Sequence, residues 1–331
     1  MKSVFMDYKK ITKELLQGLP PRTINVVERR FGLSKDRKET LESIGRDFNI
    51  TRERIRQIEN ETAVKIRPVL AQNKKVVDHF NNVFSLFGGI KKEDDLLDYL
   101  GDKNNAYFIL SNLGVYQRIA ESPDFYTCWI TDASALENAK KTIKSAINLL
   151  TREKRPLALN ELLKTQNIDK DIFMSRIQVS KKIGLDYSGR YGLANWIEVN
   201  PKGIKDKAYL VIKNEQKPVH FADVARKIEQ LPISRSSVHT ATVHNELIKD
   251  GRFVLVGRGL YALAEWGYEP GIVKDIIAKI LKSSNKPLSK EEILKKVGEQ
   301  RFVKENTIAL NLQNRNLFLR NSSGKYTIKE S

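Results

Sequence analysis

The chain repeats itself. Its three tryptophans, Trp129, Trp196 and Trp266, lie 67 and 70 residues apart. Each closes a similar phrase: Tyr126-Thr-Cys-Trp129, Tyr191-Gly-Leu-Ala-Asn-Trp196 and Tyr261-Ala-Leu-Ala-Glu-Trp266. A fourth phrase, Gly324-Lys-Tyr326-Thr-Ile, lacks the tryptophan but keeps the tyrosine 65 residues beyond Tyr261. Upstream of three of these tyrosines a second phrase recurs: Arg155-Pro-Leu-Ala-Leu-Asn-Glu-Leu-Leu, Lys217-Pro-Val-His-Phe-Ala-Asp-Val-Ala and Lys286-Pro-Leu-Ser-Lys-Glu-Glu-Ile-Leu. Two phrases in one order at matching spacing mark an array of small units. We read four, over 75–135, 136–202, 203–268 and 269–331, behind an N-terminal segment 1–72; the first unit is the most degenerate.

Within a unit the pattern is local. Ile272, Val273, Ile276, Ile277, Ile280 and Leu281 recur at the spacing of a helix with one apolar face. A Lys-Pro pair ends it, because proline disfavours helix in the residue before it. Ser289 stands three residues before Glu292, the spacing of a capping box, ahead of a short helix through Val297. A third helix is predicted from about Lys304 to Asn316, then strands at Leu317-Phe-Leu-Arg and Lys325-Tyr-Thr-Ile around the turn Asn321-Ser-Ser-Gly324. In the preceding unit the same reading places helices near 205–212, 221–230 and 238–250, and a hairpin at Phe253-Val-Leu-Val256, Gly257-Arg-Gly259 and Leu260-Tyr-Ala-Leu263. Three helices and a two-stranded wing make a winged helix. The tyrosines and tryptophans are expected to plug each wing onto its helices.

These units resemble the HARE-HTH winged-helix family, which includes the N-terminal domain of the delta subunit of bacterial RNA polymerase. The Lys-Pro-Val/Leu opening, the apolar third helix and the Gly-x-Gly-Leu-Tyr-Ala-Leu wing carry the likeness, best over 205–267. It implies a role in transcription or DNA metabolism rather than a chemistry, and leaves the partner open between DNA and polymerase. Arg235, His239 and Arg258, at a third helix and a wing tip, are possible secondary DNA contacts; His244 lies nearby.

Charge points the same way. The 331 residues hold 58 Lys and Arg against 40 Asp and Glu, a formal charge of +18, which calls for a polyanionic partner. The excess is uneven: +8 over 1–75, −5 over 76–135, +6 over 136–202 and +9 over 203–331. No polybasic run occurs, which argues against a membrane partner. No apolar stretch approaches the ~20 residues of a membrane span, and the first ten residues carry no signal-peptide core. The single Cys128 excludes an intramolecular disulfide and a cysteine-based zinc site. A cytoplasmic, nucleoid-associated protein is expected.

Residues 19–70 carry the sharpest motif. Leu41, Ile44, Gly45 and Phe48 form a short apolar-faced helix, Asn49-Ile50 the turn, and Thr51 the N-cap of a helix starting Arg52-Glu-Arg. On that second helix Ile55, Ile58, Thr62 and Ile66 share one face, while Arg52, Glu53, Arg56, Gln57 and Asn60 fall largely on others. This is a helix-turn-helix whose second helix shows polar side chains at its N-terminus, the geometry that enters a major groove. Arginine can pair with guanine, glutamine with adenine, and glutamate can accept from cytosine.

The segment resembles region 4 of primary-type bacterial sigma factors. The matching text is Leu19-Pro-Pro-Arg22, Arg30-Phe-Gly-Leu33, Glu39-Thr-Leu41-x-x-Ile44-Gly45-x-x-Phe48 and Ile50-Thr-Arg-Glu-Arg-Ile-Arg-Gln-Ile-Glu59. The resemblance implies that this helix reads a −35-like promoter element. Thr51 opens it, Arg52, Glu53 and Gln57 would contact base edges, and Arg54 and Arg56 would bind phosphates. It further implies docking of RNA polymerase core, through the beta flap, on the apolar surface around the first helices. Glu61 stands where the family commonly has a basic residue and Val64 where it often has arginine. Only 18 residues precede Leu19, so the promoter-melting modules of sigma factors are expected to be absent and the chain to act as a regulator.

No Walker A loop, dinucleotide fingerprint or Gly-x-Ser-x-Gly elbow occurs. His239 and His244 are five apart, wrong for a shared helical metal face. Asp206 with Glu215-Gln-Lys217 mimics a nuclease site, but Lys217 belongs to the repeated Lys-Pro phrase. The expectation is therefore no enzyme, no cofactor and no metal, in a mainly α fold with small β wings: an N-terminal helix-turn-helix followed by about four tandem winged-helix units. An interaction scaffold of the transcription machinery whose winged helices bind protein is the alternative, and behind it a DNA restriction or nuclease-associated protein. Oligomeric state stays open.

Overall fold

A computed structural model describes residues 6–329 except 36, 165, 235–236, 269–272, 285, 301–302 and 304. The chain divides into two compact units, one of residues up to 185 with 189–194, the other of 186–188 with residues from 195 on. The fold is mainly helical with small antiparallel sheets. No helix among the described residues is long and apolar enough to cross a membrane.

The first unit begins with α1 (Tyr8–Leu16), α2 (Pro21–Phe31), α3 (Leu41–Asp47) and α4 (Arg52–Gln72). Then come α5 (Lys74–Leu86), β1 (Ile90–Lys92), α6 (Glu93–Leu100), α7 (Lys103–Leu113), β2 (Gln117–Ile119) and β3 (Cys128–Ile130). It ends with α8 (Ala133–Glu153), α9 (Leu159–Leu163), α10 (Lys170–Gln178), β4 (Ile183–Leu185) and β5 (Tyr191–Leu193). The second unit holds α11 (Gly203–Glu215), β6 (Val219–His220), α12 (Phe221–Glu229), α13 (Thr240–Lys249), β7 (Phe253–Gly257) and β8 (Leu260–Leu263). After a short turn of helix at Ala264–Trp266 it continues with α14 (Val273–Ser284), α15 (Lys290–Gln300), α16 (Glu305–Leu312), β9 (Phe318–Arg320) and β10 (Tyr326–Ile328).

From α5 onward one order recurs four times: helix, short strand or bridge, helix, helix, two-stranded hairpin. The capping box at α15 is present, with the Glu292 amide donating to Ser289 Oγ at 3.2 Å and the Ser289 amide donating to Glu292 Oε2 at 2.7 Å. Ile272, Lys304 and Arg235 lie outside the described residues.

Strand pairing corrects the alignment of the repeats. Leu157, Val219 and Leu288, each just before its unit's second helix, pair with Tyr191, Tyr261 and Tyr326. In the first repeat the corresponding Lys91 pairs with Trp129, not with Tyr126. Trp129 is thus the counterpart of the tyrosines, not of Trp196 and Trp266. It is buried, as are Tyr191 and Tyr261, while Tyr326, Trp196 and Trp266 are half-buried. The phrase Tyr191…Trp196 also straddles a boundary, Tyr191 in the first compact unit and Trp196 in the second.

Packing also ignores the break expected between 1–72 and 75–135. Asn73 ends α4 and caps α5, its side chain accepting from the Val76 amide at 3.3 Å. The core nevertheless runs across it: Val27, Leu33, Ile66 and Leu70 join Phe80, Phe84, Phe108 and Trp129 in one cluster. The next junction is tight as well. Ser175 on α10 donates to the Ile90 carbonyl, the Tyr126 amide to the Val179 carbonyl at 2.9 Å, and the Lys181 amide to the Asp124 carbonyl at 2.9 Å. A Cβ on Gly88 would come within 2.5 Å of Ile172 Cγ2, so only glycine fits there.

A clamp sets the angle between α2 and α3. Arg29 donates to both oxygens of Glu39 at 2.9 and 2.6 Å and to Asp47 Oδ2 at 2.5 Å. Its guanidinium holds the Glu39 carboxyl below the usual carboxylate range, chiefly through these hydrogen bonds.

Two outcomes follow from this packing. Trp129→Ala is expected to cost about 3–5 kcal/mol in chemical denaturation of the full chain, the price of a large core deletion, and Trp266→Ala clearly less. Arg29→Met is expected to lower the melting midpoint at pH 7. Because Glu39 is held below its unfolded value near 4.5, its contribution is present above that pH and is lost as pH falls through the folded value. The gap between Arg29→Met and the parent should therefore narrow as pH falls below 4.5.

Candidate nucleic-acid interface

The helix-turn-helix is built from α3 and α4. The Thr40 hydroxyl caps α3 by accepting from the Ser43 amide at 3.1 Å, and the Thr51 hydroxyl caps α4 by accepting from the Arg54 amide at 3.2 Å. Between them Asn49 adopts a left-handed φ of 53°. Gly45 lies so close to this turn that a Cβ would sit 2.7 Å from the Ile50 carbonyl oxygen. Val26, Ile44, Ile55 and Ile58 form the core beneath, with Leu41, Phe48 and Ile50 packed against it. Ile55, Ile58, Thr62 and Ile66 are the buried face of α4, as the spacing predicts.

The other face of its first turns is in solvent. Thr51, Arg52, Glu53, Arg54, Arg56 and Gln57 are all exposed. They are partly engaged with one another. Arg56 forks onto Glu53 at 2.6 to 3.1 Å, which lowers the Glu53 pKa and raises that of Arg56. Arg54 donates to Gln57 Oε1 at 3.0 Å and to Glu61 Oε1 at 3.1 Å. Glu61 thus offsets the charge of Arg54. The Arg56–Glu53 pair leaves both side chains more than half exposed, at 53% and 54%, so water competes for it and the partners can be exchanged.

A cleft opens beside this surface where α3 and α4 begin. Arg30, Arg52 and Arg56 line it with Thr40, Leu41, Glu42 and Glu53. Three guanidinium groups against the two carboxylates of Glu42 and Glu53 leave the cleft, at the N-terminus of α4, with a small excess of positive charge. Sequence spacing did not reveal Arg30 or Thr40 as members, because the crossing of α2 over α4 brings Arg30 there. Arg30 is steadied by the Glu39 carbonyl at 3.3 Å and by Glu59 at 3.4 Å.

The secondary residues are placed separately. Arg258 is exposed in the turn between β7 and β8, and His239 is exposed at the start of α13. Arg235 lies outside the described residues. His244 is instead part of a ring ladder, stacked on Phe221 at 4.3 Å and edge-on to Tyr261 at 5.9 Å. No group of three or more metal-ligating side chains occurs among the described residues. The nuclease-like residues are not assembled. Asp206 is bound by Arg252 at 2.9 Å at the start of α11, and Glu215, at its other end, by Lys227 at 2.6 Å.

Comparison with known proteins bears on the same segment. Residues 15–67 match the family described as Sigma-70, region 4. The chain is 43% identical over 65 residues to the RNA polymerase sigma factor RpoD of Neisseria gonorrhoeae, covering 20% of this chain and 10% of that protein. It is 40% identical over 79 residues to SigA of Clostridium acetobutylicum, covering 24% and 21%. To SigA of a Nostoc species it is 49% identical over 55 residues, covering 17% and 14%. The chain thus spans about a fifth or less of the length of these relatives, and what it shares with them is an N-terminal Sigma-70 region 4 domain.

Proposed function

We propose that the chain is a sigma-like transcription regulator, acting in the cytoplasm, whose α4 reads a −35-like element in duplex promoter DNA. The observation that supports it most is the exposed first turns of α4 within a region 4 match. In this reading Arg52, Glu53 and Gln57 face base edges and Arg54 and Arg56 face phosphates, with Thr51 fixing where α4 begins. Arg30 joins them at the cleft. No catalysis, cofactor or metal is invoked. We read the four repeated units as winged helices of the HARE-HTH kind, the best fit being 203–268, with Arg258 and His239 as secondary DNA contacts.

Polymerase association belongs to the same reading, with one change. The resemblance implies flap docking on the apolar surface around the first helices. Here α7 covers that surface: Phe108 meets Phe31 edge-on at 5.0 Å, and Leu16, Val27 and Leu33 share its core. We therefore assign polymerase contact to a surface outside that core. The burial of α7 and α10 against neighbouring units also favours a second reading for the repeats, as protein-binding scaffolds, since third helices already serve protein packing in this chain.

Substituting Glu53 by Ala should relax base preference at one position, by about 1–3 kcal/mol of discrimination, while nonspecific affinity holds or rises. Unchanged selectivity in a binding-site selection would remove Glu53 from the reading. Duplex affinity should also fall roughly 10³–10⁵-fold from 50 to 200 mM salt if 6–10 phosphates are contacted; a scaffold would show no such slope. For polymerase, the full chain should retain core subunits from a host lysate, and retention should survive Val64→Arg. Absence of every polymerase subunit from the eluate counts against association.

A further inference from the structure

Both arginines that the proposed function sets on phosphates are held, in this structure, by carboxylates of their own helix. Arg56 is held by Glu53, a side chain the same reading places at a base edge. Arg54 is held by Glu61, to which that reading gives no role. The Arg54 guanidinium donates from Nη1 to Glu61 Oε1 at 3.1 Å and to Gln57 Oε1 at 3.0 Å. Among the described residues Glu61 has no other hydrogen-bond or ion-pair partner.

The contact runs along the helix. Residues 54 and 61 are separated by about 10.5 Å of axis at ~1.5 Å per residue. Arg54 therefore reaches toward the C-terminal half of α4, away from the exposed N-terminal turns. A phosphate beside those turns is met only when the guanidinium swings back. Both side chains have room to move, at 51% and 58% exposure, and an exposed ion pair is weak enough to be exchanged. The pair must still be given up before a phosphate contact forms.

We propose that Glu61 sets the DNA affinity of α4 by competing with phosphate for Arg54, an inference that rests on the reading of α4 as the DNA-reading helix. Glu61 is a positioning residue and touches no DNA itself. On binding, the Arg54–Glu61 pair opens, Glu61 returns to water and Arg54 takes a phosphate oxygen. The effect is local. At ~0.1 M salt the screening length is ~10 Å, whereas Arg52, at the start of α4, and Glu61 are ~13 Å apart along the axis. Direct repulsion between Glu61 and a phosphate at the helix start is therefore largely screened, and the influence of Glu61 passes through Arg54.

The test measures duplex DNA affinity of the full chain at ~0.1 M salt for the parent, Glu61→Gln, Arg54→Ala and the two changes together. Glu61→Gln keeps the shape of the side chain and removes its charge. It should tighten binding about two- to fivefold, the worth of an exposed ion pair, with base preference in a binding-site selection and the melting midpoint both unchanged. In the Arg54→Ala background the same change should have no effect, because the two residues act as one coupled pair. If the parent binds duplex DNA and Glu61→Gln binds no tighter, the proposal falls while the reading of α4 stands. An equal gain with and without Arg54 would show a general charge effect and also overturn it. If neither the parent nor Glu61→Gln binds duplex DNA, the reading of α4 fails and this inference fails with it.

Discussion

The first unit depends on the burial of α7. Phe108, Ile109 and Leu110 are consecutive and all nearly inaccessible. At 100° per residue they point in three directions, so this stretch of the helix must be covered from more than one side. Helices α1, α2 and α4 close one side, and α6 another. Each such side chain contributes roughly 1.5–3 kcal/mol when fully buried, so the head gains much of its stability from a helix the region 4 match does not include. That match ends at residue 67, inside α4, whereas Leu70 on the same helix is fully buried in the shared core.

The same helix steadies the approach to the α3–α4 pair. Asn104, at its start, donates to the Gly32 carbonyl at 3.0 Å. The Lys38 ammonium lies over the Tyr107 ring at 4.3 Å, and burial lowers its pKa. Tyr107 meets Trp129 edge-on at 6.2 Å, the Trp129 indole donates to Glu93 at 2.9 Å, and Arg118 forks onto Glu93 at 2.5 and 2.7 Å. This chain of contacts runs from the hairpin of the first repeat to the loop that leads into α3. The Arg29 clamp then carries the position on from that loop through Glu39 and Asp47. The orientation of α4 thus rests on residues on both sides of Asn73.

What the sequence made legible was local. Thr51 could be read as a cap, and the Ile55, Ile58, Thr62 and Ile66 face as buried, because helix periodicity and capping act within a few residues. Within 203–268 the helices and the hairpin fall within about two or three residues of where propensity and proline placed them. Trp129 was misaligned because its equivalence to Tyr261 is a matter of strand register, and Tyr126 imitates the phrase only in sequence. The break at Asn73 was readable as a helix end, but a helix end says nothing about which core the next helix joins. Arg30 and Thr40 share a cleft with Arg52 and Arg56 through a helix crossing that spacing along the chain does not encode.

Charge gives the first unit a direction. Residues 1–75 carry +8 and residues 76–135 carry −5, yet the two segments share one core. Part of the acidic excess has a local cause: Glu93, Asp94 and Asp95 occupy the first turn of α6, where negative side chains complement the helix dipole. Their field is not confined to α6, because fixed charges sum over a compact body. On the reading proposed above, duplex DNA, with one phosphate charge per ~1.7 Å of axis, would be attracted by Arg30, Arg52, Arg54 and Arg56 and repelled by the acidic repeat. Since both segments share one core, that repulsion would narrow the orientations in which a duplex could approach α4. A free region 4 domain of the same charge would lack that repulsion, and its basic surface would be open to DNA from more directions. On that reading, packing an acidic repeat onto the head through α7 would cost some nonspecific affinity and narrow the docking geometry.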